Sequence, residues 1–167
     1  HLREARALTL MPRISEYCMG DAVVRESGQA RVRDVLGAIV GSGDGILAAA
    51  VADIGGRVLV STLISSEGVD AARRGYFRNA ALGNESISDL FRVRQVVGDM
   101  LAVAYAVPVR DPQGAVRCVV TVAARADSFG AVLRSRDDFG GEGSFVVLVD
   151  QFGLRTGHSE REEYMLR

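Results

Sequence analysis

Met100–Arg125, MLAVAYAVPVRDPQGAVRCVVTVAAR, is the stretch whose reading decides the fold. An almost unbroken apolar run from Met100 to Val109 meets Arg110-Asp111-Pro112-Gln113-Gly114, and a second apolar run follows from Ala115 to Ala124. Each run has the length of a strand and is rich in Val. Pro followed by Gly at the junction suits a tight turn, since Gly takes a positive φ at little cost. The stretch is therefore predicted to be a β-hairpin. Large residues occupy one parity of its first strand (Leu101, Val103, Tyr105, Val107, Val109) and alanines the other (Ala102, Ala104, Ala106). Side chains alternate between the faces of a strand, so one face carries bulk and the other leaves room for a close neighbour. Neither face is polar, which places the hairpin in the middle of a sheet covered on both sides.

Working outward, Leu47–Ala52 and Arg57–Leu63 flank Asp53-Ile54-Gly55-Gly56 as a second hairpin. Ser144–Asp150 and Leu154–Ser159 flank Gln151-Phe152-Gly153 as a third. Asp53-x-x-Gly56, Asp111-x-x-Gly114 and Asp150-x-x-Gly153 are one device used at all these turns. The Asp side chain bonds turn amides and the Gly supplies the positive φ. The third occurrence suggests that residues 144–159 open a second copy of the module that residues 46–125 complete, so that the sequence is a fragment or a truncated unit.

Helical spacing governs residues 1–41, through Leu8, Met11, Ile14 and Cys18 and then Val32, Val35, Leu36, Ile39 and Val40. Pro12 and Gly20-Asp21 interrupt the first part, leaving two helices or one kinked helix open. Val69–Leu82 is predicted as a helix with Ala72, Tyr76, Ala80 and Phe77 inward. Ile87–Val97 reads as a strand near an edge, because Arg92, Arg94 and Gln95 need water or partners. Asp127–Leu133 reads as a short helix, and Arg134–Gly143, charged and Gly-rich, as a linker. The resulting organisation is a helical segment at 1–43, a sheet-and-helix module at 44–134, and at 144–167 either the start of a second module or a C-terminal hairpin.

Composition excludes several function classes. Twenty basic against twenty-one acidic residues leave a net charge of −1, so no nucleic-acid surface is implied. Every basic residue is Arg, which weakens any single Arg as a sign of binding. His1 and His158 are the only histidines and Cys18 and Cys118 the only cysteines, too few and too far apart for a metal site. Two buried thiols are the expectation for the cysteines, with a bridge as the alternative. The longest apolar stretch, Ile46–Ile64, is broken by Asp53, Gly55, Gly56 and Arg57, which excludes a membrane span there, and no signal peptide opens the chain. Gly41-Ser42-Gly43-Asp44-Gly45 lacks the Lys of a phosphate-binding loop. His158 with Asp150 and Ser159 lies on one hairpin near a turn, so no catalytic group is assigned, and no cofactor motif is found.

The order helix, hairpin, helix, strand, hairpin resembles the Cache family of extracytoplasmic sensor domains, PAS-like modules of chemotaxis receptors and sensor histidine kinases. The resemblance covers roughly residues 30–159. It rests on Val51–Ser61, on Arg74-Gly75-Tyr76-Phe77, and on Ala106–Gly114, with Phe145–Gly153 similar to the start of the membrane-proximal half of the double form. It implies an α+β fold, a PAS-like antiparallel sheet flanked by helices and preceded by a long N-terminal helical segment. In the family the ligand lies between the sheet and the Arg-x-aromatic-aromatic stretch, which is Arg74, Tyr76 and Phe77 here. An Arg fork holds a carboxylate by two charge-assisted bonds, and a Tyr hydroxyl adds a third donor. Tyr105, and Thr121 on the adjacent strand, are further candidates to line the same space. Against this stand bland readings: a solvated Arg74, a core Phe77 and a Tyr105 that anchors the core through its hydroxyl. Family members that bind free amino acids also carry a Tyr five residues before the Arg and an Asp late in the sheet. Val69 and Asp70 stand near the first place and Ala123 and Ala124 near the second. Without that Asp a cationic amine lacks a partner, which favours a small organic acid.

The expected function is therefore a non-enzymatic, extracytoplasmic sensor of a small carboxylate in a membrane-anchored, inner-membrane receptor, forming a homodimer through its N-terminal helix. The alternatives are a dimerisation module without a ligand, and an intracellular PAS- or GAF-like cofactor-binding domain.

Overall fold

The computed structural model describes residues 1–43, 45–95, 98–126, 144–149, 153 and 155–158. In chain order its elements are α1 (Leu2–Thr9), α2 (Pro12–Met19), α3 (Ala22–Ser42), β1 (Ile46–Asp53), β2 (Val58–Ser61), α4 (Gly75–Ala81), β3 (Ser86–Ile87), β4 (Phe91–Gln95), β5 (Gly98–Arg110), β6 (Val116–Arg125), β7 (Val147–Val149) and β8 (Arg155–His158). A single 3-10 turn lies at Ile64–Ser66. The chain divides into two compact units, residues 1–88 with 104–124, and residues 89–103 with 125–167.

In the first unit the strands are antiparallel and ordered β2-β1-β6-β5-β3, so the hairpin predicted from Met100–Arg125 does occupy interior positions. Its turn works as its chemistry requires. Asp111 Oδ1 accepts the amides of Gln113 at 3.0 Å and Ala115 at 2.9 Å, and Gly114 has φ +87°. Asp53 repeats the device, accepting the Arg57 amide at 3.0 Å beside Gly56 at φ +96°. Asp150 of the third turn lies outside the described residues, while Gly153 has φ +81°.

The N-terminal segment is three helices. Pro12 stands in the first turn of α2, where a missing N–H costs nothing. Asp21 caps α3, its Oδ1 accepting the Val24 amide at 3.0 Å. α3 packs on β1 and β2, and Leu8, Ile14, Val32 and Leu36 are fully buried, as are Val51, Val60, Val120 and Val122 of the strands. Cys18 of α2 is bonded to Cys118 of β6, with Cα atoms 5.6 Å apart and both residues fully buried. The expectation of two separate thiols is thus corrected. A separation of 100 residues says nothing about proximity, and only the docking of α2 onto β6 brings the pair within bonding reach.

The predicted helix Val69–Leu82 is also shorter than expected, beginning only at Gly75. Its first residues are used to satisfy the outer edge of β2. Val58 N–H bonds Val69 O at 3.0 Å, Ala71 N–H bonds Gly56 O at 2.8 Å, and Arg57 bridges Asp70. An edge strand covered in this way cannot pair with another chain. The predicted strand Ile87–Val97 breaks after Ile87, where the Ser88 amide bonds Ala104 O at 2.8 Å, and resumes as β4.

In the second unit β4 pairs with the first half of β5, Phe91 opposite Ala102 and Gln95 opposite Gly98. The Ala126 amide bonds Leu101 O at 2.9 Å. β7 and β8 form the third hairpin, Val147 opposite His158. The helix predicted at 127–133 and the linker at 134–143 lie outside the described residues, as do 159–167.

Candidate ligand-binding site

The face of the sheet opposite α1–α3 is made of small side chains, because the strands alternate. Ala52 pairs with Val119, Ala50 with Thr121 and Ala48 with Ala123, and directly opposed residues share a face. Phe77 and Ala80 of α4 pack there in one buried cluster with Ala52, Ala106 and Val119, and Tyr76, Val58, Ala71 and Ala81 close around it. α4 covers only that end. Further along the same face Ala48, Ala50, Thr121 and Ala123 are half-buried, against the fully covered Val119 beneath α4.

Of the residues the sequence nominates, Phe77 is 2% exposed and seated in the cluster, as a core residue would be. Tyr76 is half-buried on the rim of that cluster. Burial pushes its hydroxyl pKa up and the Arg74 guanidinium pulls the other way, so the two groups lie within electrostatic reach. Arg74 is the exposed residue at the N-cap of α4. Among the described residues neither the Arg74 guanidinium nor the Tyr76 hydroxyl makes a hydrogen bond or ion pair. The two residues stand two positions apart at the start of α4, the helix that packs on the alanine-bearing face, and both side chains carry donors of the kind that bind an anion.

Thr121 is on this face and Tyr105 is not. Ala106 points toward Phe77, so Tyr105, one residue earlier, points toward the N-terminal helices, where its ring meets His1 edge-on with centroids 5.9 Å apart. Burial and the nearby Glu4 carboxylate both raise its pKa. The expectation that Tyr105 and Thr121 line one space is corrected. The bulky parity of β5 serves the helical core, and the alanine parity faces α4. Among other concavities, a cleft of about 260 Å³ opens between α2 and α3, lined by Arg13, Glu16, Tyr17, Ser27, Arg31 and Val32 among others. None of the nominated residues borders it. Among the described residues no group of His, Cys, Asp and Glu could hold a metal ion.

Residues that the sequence reading passes over lie at the edge of β2. Glu67 accepts the Ser61 amide at 2.9 Å, Arg33 Nη2 at 2.7 Å and Gln29 Nε2 at 3.3 Å. Burial would raise its pKa, but the Arg33 guanidinium and the Ser61 amide outweigh that and hold the carboxyl below its usual range. No local pattern marks Glu67, because its partners come from a helix more than thirty residues earlier.

No protein-family model matches the chain, and no curated protein matches it. Solved structures do. The sensory domain of the Campylobacter jejuni chemoreceptor Tlp3 aligns with a TM-score of 0.70 at 14% identity, over 96% of this chain and 64% of that one. The same domain has been solved with isoleucine bound. The sensor domain of the Vibrio cholerae histidine kinase DctB aligns with a TM-score of 0.68 at 14% identity, over 99% of this chain and 60% of that one. An extracellular ligand-binding receptor from Desulfohalobium retbaense aligns with a TM-score of 0.68 at 17% identity, over 99% of this chain and 28% of that one. The chain thus spans less than two thirds of each of these structures. No described helix is long and apolar enough to cross a membrane. The sheet order, the helices on one face, α4 on the other and these likenesses agree: the chain has the α+β, PAS-like fold of the Cache-type sensor domains.

Proposed function

We propose that the chain is the extracytoplasmic sensor domain of a membrane-anchored chemotaxis receptor or histidine kinase, and that it binds a small organic acid against the alanine face of its sheet. The reading is supported by two donors that have no partner among the described residues, Arg74 and Tyr76, on the helix that packs on the same face as the half-covered strip Ala48, Ala50, Thr121 and Ala123. Arg74 holds the carboxylate by its fork, Tyr76 adds a hydroxyl donor, Thr121 lines the floor and Phe77 supports Tyr76 from the core. Ala123 supplies a methyl group where an amine would need a carboxylate, which favours acids without an amine over the amino acid seen in one fold neighbour. The Cys18–Cys118 bridge supports an oxidising compartment, since disulfides persist outside the cytosol and rarely within it. The domain itself is read as a binding module and not an enzyme.

Ligand capture would shift the population of two packings of α4 on the sheet, and the receptor reads that shift through its helices. In the same reading residues 44–134 are the binding module, residues 144–167 are the start of a second one or a C-terminal hairpin, and the parent receptor pairs through the helical segment 1–43. The outward face of α3, where Ala30, Gly37 and Ala38 are exposed, is open for that pairing. A thermal-shift series with acetate, succinate and malonate beside isoleucine and alanine tests the ligand class. A concentration-dependent rise in Tm with the acids alone is the expected result. A rise with the amino acids alone would reject the amine-free ligand, and no rise with any compound would reject the Arg74–Tyr76 site for this class.

A further inference from the structure

The outer edge of β2 would be an open row of backbone groups, and the chain closes it with a carboxylate and a carboxamide. Glu67 Oε1 takes the outward Ser61 amide, and Gln29 Nε2 donates to the outward Leu59 carbonyl at 3.2 Å. Gln29 and Arg33 stand four apart on α3 and so share a helix face. Both donate to Glu67, Arg33 to the oxygen that holds Ser61 and Gln29 to the other. The pair is shielded, the Arg33 side chain being 32% exposed and that of Glu67 19%. From Glu67 the chain runs along β2, with the Gly68 amide on Val58 O at 2.8 Å and the Ala71 amide on Gly56 O at 2.8 Å. The Arg74 amide then bonds Ala71 O at 2.9 Å and opens α4. Seven residues after Glu67 stands Arg74, and nine after it Tyr76.

α3 and α4 lie on opposite faces of the sheet, and this segment wraps the edge between them. We propose that Glu67 is the link through which the Arg74–Tyr76 side is coupled to α3. The proposal rests on the preceding reading for what occupies that side, but the link itself is a property of the ligand-free fold. A ligand that draws Arg74 over the alanine strip pulls on residues 67–73, which are bonded to β2 and cannot lengthen. The displacement therefore reaches the Glu67 carboxylate, and Arg33 and Gln29 carry it to α3. Without Glu67 the binding segment would still rest on the β2 edge, but α3 would have no charged attachment to it.

Hydrogen exchange read by mass spectrometry tests this on the wild type, Glu67→Gln, Arg33→Gln and, as a control on the exposed side of α3, Asp34→Asn. Glu67→Gln retains an acceptor for the Ser61 amide, and Arg33→Gln leaves the edge of β2 intact, so that each keeps the other interpretable if one unfolds. In the ligand-free domain, Arg33→Gln should speed exchange of residues 71–80 several-fold although none of them touches Arg33, and Asp34→Asn should leave them unchanged. Acceleration confined to α3 and residues 59–67 would overturn the link. With saturating succinate, the wild type should gain protection in both 71–80 and α3, and Glu67→Gln in 71–80 only. Equal protection of α3 in the wild type and Glu67→Gln would overturn the link as well. If succinate protects nothing in the wild type, it is the carboxylate reading that fails, and the ligand-free comparison still decides the link.

Discussion

The two faces of the sheet use the same strands and are built for different ends. On the face toward α1–α3, Val51, Val60, Val120 and Val122 meet Ile14, Val32 and Leu36 without exposed area, and a buried disulfide ties α2 to β6. On the other face the strands offer Ala48, Ala50, Ala52, Ala106 and Ala123, and one seven-residue helix covers part of them. Large side chains cover the first face fully, whereas along the second Ala48, Ala50, Thr121 and Ala123 stay half-buried. On the proposed reading, the bulky parity of β5 marks the structural side of the sheet and its alanine parity the working side.

Substitutions on each face can sharpen or break that comparison. The largest effect is expected from removing the bridge by Cys18→Ala with Cys118→Ala. A cross-link closing a loop of 100 residues should contribute about 4 kcal/mol, read as a lower urea midpoint with a steeper slope, because the unfolded chain is then free to expand. Next is Phe77→Ala, which empties the centre of the α4 cluster and should cost about 3 kcal/mol by the same measurement. If Phe77→Ala cost as much as the loss of the bridge, the α4 face would be as structural as the helical one. A smaller effect belongs to Glu67. Its folded-state pKa is lowered, so its contribution is fully present above the unfolded-state value and is lost as pH falls through the folded one. Urea midpoints measured from about pH 7 down to about pH 3 should therefore fall less steeply in Glu67→Gln than in the wild type. The exposed pair of Arg6 and Glu85, 2.7 Å apart at its Nε contact, should add nothing measurable to that slope. The smallest change in stability is expected for Arg74→Ala and Tyr76→Phe, within about 0.5 kcal/mol of the wild type. Both should nevertheless abolish the Tm rise produced by small acids. A large loss of stability in Arg74→Ala would move that residue from the working side of the comparison to the structural one.

Much of the architecture was legible in local chemistry. Asp and Gly three positions apart wrote the turns, and the parity of Met100–Val109 distinguishes a bulky face from a small one before any partner is known. Pro12 and Gly20-Asp21 marked the breaks in the N-terminal helices but left their number open, since a proline in a helical pattern allows either a kink or a new start. The helix at 69–82 was read too long because its first residues carry no strand pattern, and their role is to satisfy the edge of β2. Tyr105 was read into the pocket because its hydroxyl looked out of place among valines, and alternation does not say which face of the sheet the helices will cover.

What the chain determined by itself were the elements bounded by neighbours in sequence: hairpins, caps, positive-φ turns and the two-sided composition of β5. Those depend on contacts within a few residues, which residue type and spacing decide. Only the tertiary structure decided that Cys18 meets Cys118, that Thr121 and not Tyr105 shares a face with Phe77, and that Glu67 joins α3 to the edge of β2. Each of these depends on where a helix docks on the sheet, and docking is settled by the summed burial of many side chains from distant parts of the chain.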